Sequence, residues 1–112
     1  MKKTMLPLLA AAVSMLLGGM ARSAEIPENW SKNCASCHGP DGAGHTKAGR
    51  MAQVKDMTSA DYQKTFTDEQ AIKQIKEGYK DSSGKERMKA FADKLSDDEV
   101  KALVAYVRSL SK

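Results

Sequence analysis

The sequence predicts an all-α domain, and three observations carry that prediction. Ser96, Asp97, Asp98 and Glu99 form a capping box with acidic residues in the first turn, and Val100, Leu103, Val104, Val107 and Leu110 then recur at helical spacing. Thr67 and Gln70 form a second capping-box pair, closed by Gly78 where a left-handed helix end belongs. No segment alternates apolar and polar residues as a half-buried strand does. The expectation is three or four short helices, without internal repeats or a disordered linker.

At the amino end, Lys2 and Lys3 precede an apolar stretch from Leu6 to Leu17 that only Pro7 and Ser14 interrupt. Small residues follow at Ala21, Ser23 and Ala24. This is the pattern of a cleaved secretory signal peptide, so residues 1–24 are expected to be signal and residues 25–112 a single domain. The apolar stretch falls short of the roughly 20 residues a membrane helix needs, which predicts no span in the mature form. The expected location is the periplasm. The alternatives are a thylakoid lumen, or a membrane tether formed by an uncleaved signal.

That division changes the meaning of the charge. The formal charge is +4, from 18 Lys and Arg against 14 Asp and Glu. Lys2, Lys3 and Arg22 precede Glu25, where the acidic residues begin, so the remaining chain sets 15 basic against 14 acidic residues, a net +1. A basic surface for nucleic acid is therefore excluded. The domain is also short of large apolar side chains, too few to offset the entropy of folding unaided. An apolar cofactor at its centre would supply the missing core.

Glu28 to Ala35 reads as a short helix with Pro27 near its first turn, and Trp30 and Cys34 share one face. The stretch from Gly39 to Gly49 is glycine-rich and reads as irregular. Thr58 or Ser59 starts a brief helix through Tyr62 and Lys64. Asp68 to Glu77 is a clearer helix with Ala71, Ile72 and Ile75 as its apolar positions, and Lys80 to Lys89 reads as a polar loop. The helix after Ser96 is the strongest, with Arg108 and Lys112 at its carboxyl end.

The chemistry is concentrated in Cys34-Ala35-Ser36-Cys37-His38, which holds both cysteines. A zinc site would need His45 as fourth ligand beside Cys34, Cys37 and His38, but there is no second ligand pair downstream. A redox disulfide would sit between a strand and a helix, and no strand is expected here. A structural disulfide across so small a loop would stabilise little. Covalent haem attachment fits: Cys34 and Cys37 add to the haem vinyl groups as thioethers, and His38 becomes the proximal iron ligand.

A six-coordinate iron needs one more ligand, and Met51, Met57, Met88 and His45 are the candidates. His45 lies close behind His38 in the same glycine-rich loop, and Met51 and Met57 are limited likewise. Met88 is far enough along the chain to approach from the other side of the ring.

These residues together resemble a small monohaem class I cytochrome c of the short bacterial and cyanobacterial type. CASCHG, GPDGAG, KDMTSADYQ, GKERMKAF and LSDDEVKALVAYVRSL carry the resemblance over essentially the whole domain. It implies the class I cytochrome c fold around one covalently attached haem c, and Met88 in MKAF as the distal iron ligand. Lys89 stands where proline is common in that family. The first and last helices are implied to cross, giving Trp30, Leu103, Val104 and Val107 a packing role, while Tyr62, Phe66, Ile75, Tyr79 and Phe91 lie at or near the haem crevice. Trp30 and Arg50 are candidate partners for a propionate, although Arg50 reads better as solvated surface.

The implied function is soluble electron transfer by His/Met-ligated iron, without enzymatic activity, between a redox donor and an acceptor protein. A peroxidase or dehydrogenase subunit and a gas- or redox-sensing haem module are the rivals; both need an accessible or labile iron site. Lys80, Lys85, Arg87, Lys89 and Lys94 give the Met88 region a weak positive bias that suits an acidic partner, and equally suits a plain solvated face.

Overall fold

The computed structural model describes residues 26–112. Among them the chain forms six helices and one small hairpin: α1 (Glu28–Asn33), α2 (Ala35–His38), α3 (Lys47–Ala52), α4 (Ala60–Gln63), α5 (Asp68–Glu77), β1 (Tyr79–Lys80), β2 (Glu86–Met88) and α6 (Asp97–Ser109). The proposed signal peptide, residues 1–24, lies outside the described residues.

The two helices expected from capping boxes start where the sequence places them. Thr67 accepts from the Gln70 amide while the Gln70 side chain accepts from the Thr67 amide, and Ser96 and Glu99 do the same for α6. Each reciprocal pair satisfies two backbone donors that a helix start leaves without partners. The first helix extends as expected but breaks at Cys34, so that α2 carries Cys37 and His38 as a separate turn.

Two segments differ from expectation. The glycine-rich stretch was expected to be irregular, yet α3 begins at its end because the Thr46 side chain accepts from the Gly49 amide and caps it. The Lys80–Lys89 segment, expected as a loop, carries β2 and the end of β1, an antiparallel pair with Tyr79 opposite Met88 and an irregularity between Tyr79 and Lys80. Asp81 closes the turn by accepting from the amides of Ser83 and Lys85. Strands this short show no alternation for a sequence pattern to reveal.

The core forms where α6 packs on α1 and α5. Trp30, Phe91, Leu95, Val100, Leu103, Val104, Tyr106 and Val107 are buried, and Trp30 meets Tyr106 edge-on at 5.1 Å between ring centroids. Each fully buried side chain of this size is worth ~1.5–3 kcal/mol, so Val100 and Leu103 anchor α6 strongly. Among the described residues Gln63 is the one buried polar side chain. Its Nε2 donates to the carbonyls of Met57 and Val107, each at 2.7 Å, and so joins α4 to α6. Further along, the Phe91 and Ala92 amides donate to Ile75 and Lys76 carbonyls, which holds the segment after Met88 against α5.

Candidate functional site

The Cys34–His38 segment is held from three directions. From α1, Cys34 donates its amide to the Trp30 carbonyl at 2.9 Å, and the Trp30 indole N–H donates to the Gly39 carbonyl at 3.0 Å. From the α3 side, the Thr46 hydroxyl lies 2.9 Å from the carbonyls of both Ser36 and Cys37. From the glycine turn, the Gly44 amide donates to the His38 carbonyl at 2.8 Å. Gly39, Gly42 and Gly44 all take positive φ there, which lets the turn fold back under His38.

The imidazole of His38 packs against Trp30, with ring centroids 5.7 Å apart. Burial pushes its pKa down, which keeps the ring neutral, the form that ligates a metal. Its Nδ1 is buried and has no hydrogen-bond partner. Cys34 and Cys37 are free thiols. Burial, with Cys37 adding to it, pushes the Cys34 thiol up to about 11, the reverse of the lowered pKa that a redox-active cysteine needs.

Beside these residues opens a cleft of about 1130 Å³. Cys34, Cys37, His38, Met57 and Met88 all line it, whereas His45 and Met51 do not. His45 sits in a separate shallow groove with Pro40 and Thr46, and Met51 is 70 % exposed. The five side chains expected at the crevice, Tyr62, Phe66, Ile75, Tyr79 and Phe91, do line the cleft. Neither expected propionate partner fits that role. The Trp30 indole is committed to Gly39, and Arg50 is exposed outside the cleft lining.

Met88 reaches the cleft from β2. Gly78, with φ of 77°, lets the chain leave α5 directly beside it; a Cβ there would stand 2.5 Å from the Met88 carbonyl oxygen. The Met88 sulfur lies 3.8 Å from Gln74 Nε2, within reach of a donor to sulfur.

This arrangement has recognisable relatives. The family model for cytochrome c matches residues 23–111. The chain belongs to the cytochrome c family. A solved structure titled KustC0563 c-type cytochrome is similar, with a TM-score of 0.66 and 37% identity, covering 74% of this chain and 93% of that one. A point variant of the same relative is similar with a TM-score of 0.63 and 36% identity, over 73% of this chain and 93% of that one. Comparison with curated proteins gives no significant match.

Membership makes this cytochrome a haem electron-transfer protein with one covalently bound haem c and its iron. The residues present fit that group. Two free thiols and a neutral imidazole with an unpartnered ring nitrogen stand at one end of a cleft whose walls include Phe91, Leu103, Val104 and Val107. No helix among the described residues is long and apolar enough to cross a membrane.

The contacts of three residues at the site escape the sequence reading. Gln74 and Arg87 are polar residues in polar stretches, and their contacts to Met88 and to α3 follow no helical or strand period. Gly78 was legible as a helix end, but its closeness to Met88 was not.

Proposed function

We propose that this cytochrome carries single electrons between redox partner proteins in the periplasm, after removal of residues 1–24 as a signal peptide. Cys34 and Cys37 hold the haem as thioethers, His38 is the proximal ligand and Met88 the distal one. When bound, the haem supplies a reversible one-electron ferric/ferrous couple.

The chain's residues tune and protect that couple. His38 is kept neutral by burial and fixed in place through the bonds to Ser36, Cys37, Gly39 and its own carbonyl. The Met88 thioether favours ferrous iron and so raises the potential. With His38 and Met88 both holding the iron, the chain would leave no position for oxygen or peroxide, which suits a carrier and not an enzyme. Phe91, Leu103, Val104 and Val107 keep water from the ring.

The observation that carries the ligand choice is the shared cleft: Met88 lines it with His38, and His45 and Met51 do not. Met57 is the remaining competitor. It belongs to the proximal loop, donating its amide to the Gly42 carbonyl at 2.9 Å. Paired variants decide between them. Met88→Ala is expected to lose the near-infrared band of methionine-bound ferric haem and to lower the midpoint potential, while Met57→Ala keeps both. The reverse result would assign Met57. Rapid carbon monoxide binding to the reduced wild-type protein would instead favour an open-site enzyme or sensor. Intact mass of the exported protein tests the cleavage and the haem addition together.

A further inference from the structure

We propose that Arg87 is the positioning residue of the distal ligand, a strut that clamps the Met88 hairpin onto the carboxyl end of α3. The inference rests on Met88 as the sixth ligand and goes beyond it, because it says what holds Met88 in place.

Arg87 is the residue immediately before Met88, yet its side chain turns back along the hairpin and is only 18 % exposed. Its Nε donates to Asp81 Oδ2 at 2.9 Å, and its Nη1 donates to the Met51 carbonyl at 3.0 Å. One planar guanidinium therefore ties three places together: β2 itself, the turn between β1 and β2, and the final turn of α3. Asp81 is committed at the same time to the Ser83 and Lys85 amides, so the strut ends on a rigid turn and not on a free carboxylate.

The geometry has a mechanical reason. A hairpin of two and three residues is marginal by itself and needs outside support. Downstream, the Phe91 and Ala92 amides secure the chain to α5. Lys89, directly after Met88, is not a proline, so no ring fixes φ there and the backbone lacks that stiffness. The Arg87 fork supplies it from the side chain. Met51 contributes only its backbone oxygen, which explains how its own side chain can stay in solvent.

A lysine cannot replace this group. It keeps one positive charge for Asp81 but lacks the planar fork that reaches two acceptors in different directions. The test uses holoprotein and two variants, Arg87→Ala and Arg87→Lys, with hydrogen exchange of the Tyr79–Met88 amides as the first readout. Expected is exchange at least ~10-fold faster in Arg87→Ala, with Arg87→Lys between it and wild type. The second readout is the near-infrared band on raising the pH: in Arg87→Ala it should disappear at lower pH, and carbon monoxide should bind the reduced form faster.

Unchanged exchange in Arg87→Ala overturns the strut whatever the distal ligand is. Wild-type behaviour of Arg87→Lys overturns the claim that the two-pronged geometry matters. A wild-type protein without the band overturns Met88 ligation instead, and the exchange data still judge the strut. Gly84→Ala, in the exposed turn of the same hairpin at φ +83° where a side chain is strained, loosens the turn without removing the fork and shows what general loosening alone does.

Discussion

Gly49 and Cys37 are in such close approach that a Cβ on Gly49 would stand 2.2 Å from the Cys37 carbonyl oxygen. That oxygen also accepts from Thr46, whose hydroxyl oxygen in turn caps α3 through the Gly49 amide. Thus the helix after the glycine turn is pressed directly onto the Cys34–His38 segment, the proposed haem-attachment site, and only hydrogen fits between them.

Gly49→Ala is therefore expected to destabilise holoprotein by ~1–3 kcal/mol, the range for overpacking a tight contact. The cost falls on backbone, which cannot rotate away as a flexible side chain would. Because α3 must shift, His38 is expected to lose its fixed seat, with a changed Soret spectrum. Thermal melts and spectra of the variant check this; an unchanged melting temperature would mean α3 is free to slide.

Arg108 supports a second prediction. It looks in the sequence like a charge suited to a helix carboxyl end, which is true and incomplete. Its Nε donates to Asp68 Oδ1 at 2.7 Å, its Nη2 to the Phe66 carbonyl at 2.7 Å, and its Nη1 to both oxygens of Gln63, while the guanidinium lies 4.3 Å over the Phe66 ring. Arg108→Lys preserves charge but loses the fork and the stacking. The expected loss is ~2–3 kcal/mol by denaturant titration, far more than an exposed ion pair is worth. A change under ~0.5 kcal/mol would reduce the site to an ordinary surface charge.

What the sequence made legible follows from the range of the forces involved. Capping boxes at Thr67 and Ser96 are contacts over three residues, and the Val100–Leu110 stripe is a local period, so both helices could be read. Cys34, Cys37 and His38, the proposed attachment site, stand out by spacing alone. Arg87 reaching Met51, Gln63 joining Met57 to Val107, and Gly78 meeting Met88 are encounters between distant residues with no periodic signature. The α3 helix was hidden for another reason: Gly49 sits in its middle as a packing necessity, and in sequence looks like one more breaker.

Acid sensitivity gives a third prediction, at the contact between α1 and α6. The Ser96 amide, the Asn29 side chain and the Ser96 hydroxyl together hold the Glu99 carboxyl below the usual carboxylate range. Asn29 Nδ2 donates to Glu99 Oε2 at 2.8 Å, so the capping carboxylate also links the two helices. A carboxyl whose pKa is depressed on folding contributes stability that is fully present above its unfolded value of ~4.3 and is lost as pH falls through the lower folded value. Glu99→Gln keeps a capping residue but removes the titrating group. Melting temperature near pH 7 should fall slightly, and its drop below pH ~4.3 should become shallower than in wild type. Parallel slopes for the two proteins would show that Glu99 carries none of the acid response.

The last prediction concerns the chain without its cofactor. The core lies on the α6 side, and much of what faces the cleft is apolar: Ile75, Phe91, Leu103, Val104 and Val107. Some of these residues serve both the protein core and the cleft wall, so water in the cleft would hydrate the same side chains that join α6 to α5. Each such side chain represents ~1.5–3 kcal/mol of burial, against a total stability of ~5–15 kcal/mol for a typical domain. Losing cover from several at once is enough to abolish the native state. The Cys34→Ser/Cys37→Ser double variant, made without haem attachment, should therefore show weak helical circular dichroism and no cooperative melt. Cys37 is half-buried but Cys34 belongs to the core, so wild-type chain made without haem attachment is the matched control for what Cys34→Ser itself costs. A cooperative thermal transition in that variant would mean that α1, α5 and α6 close a sufficient core by themselves.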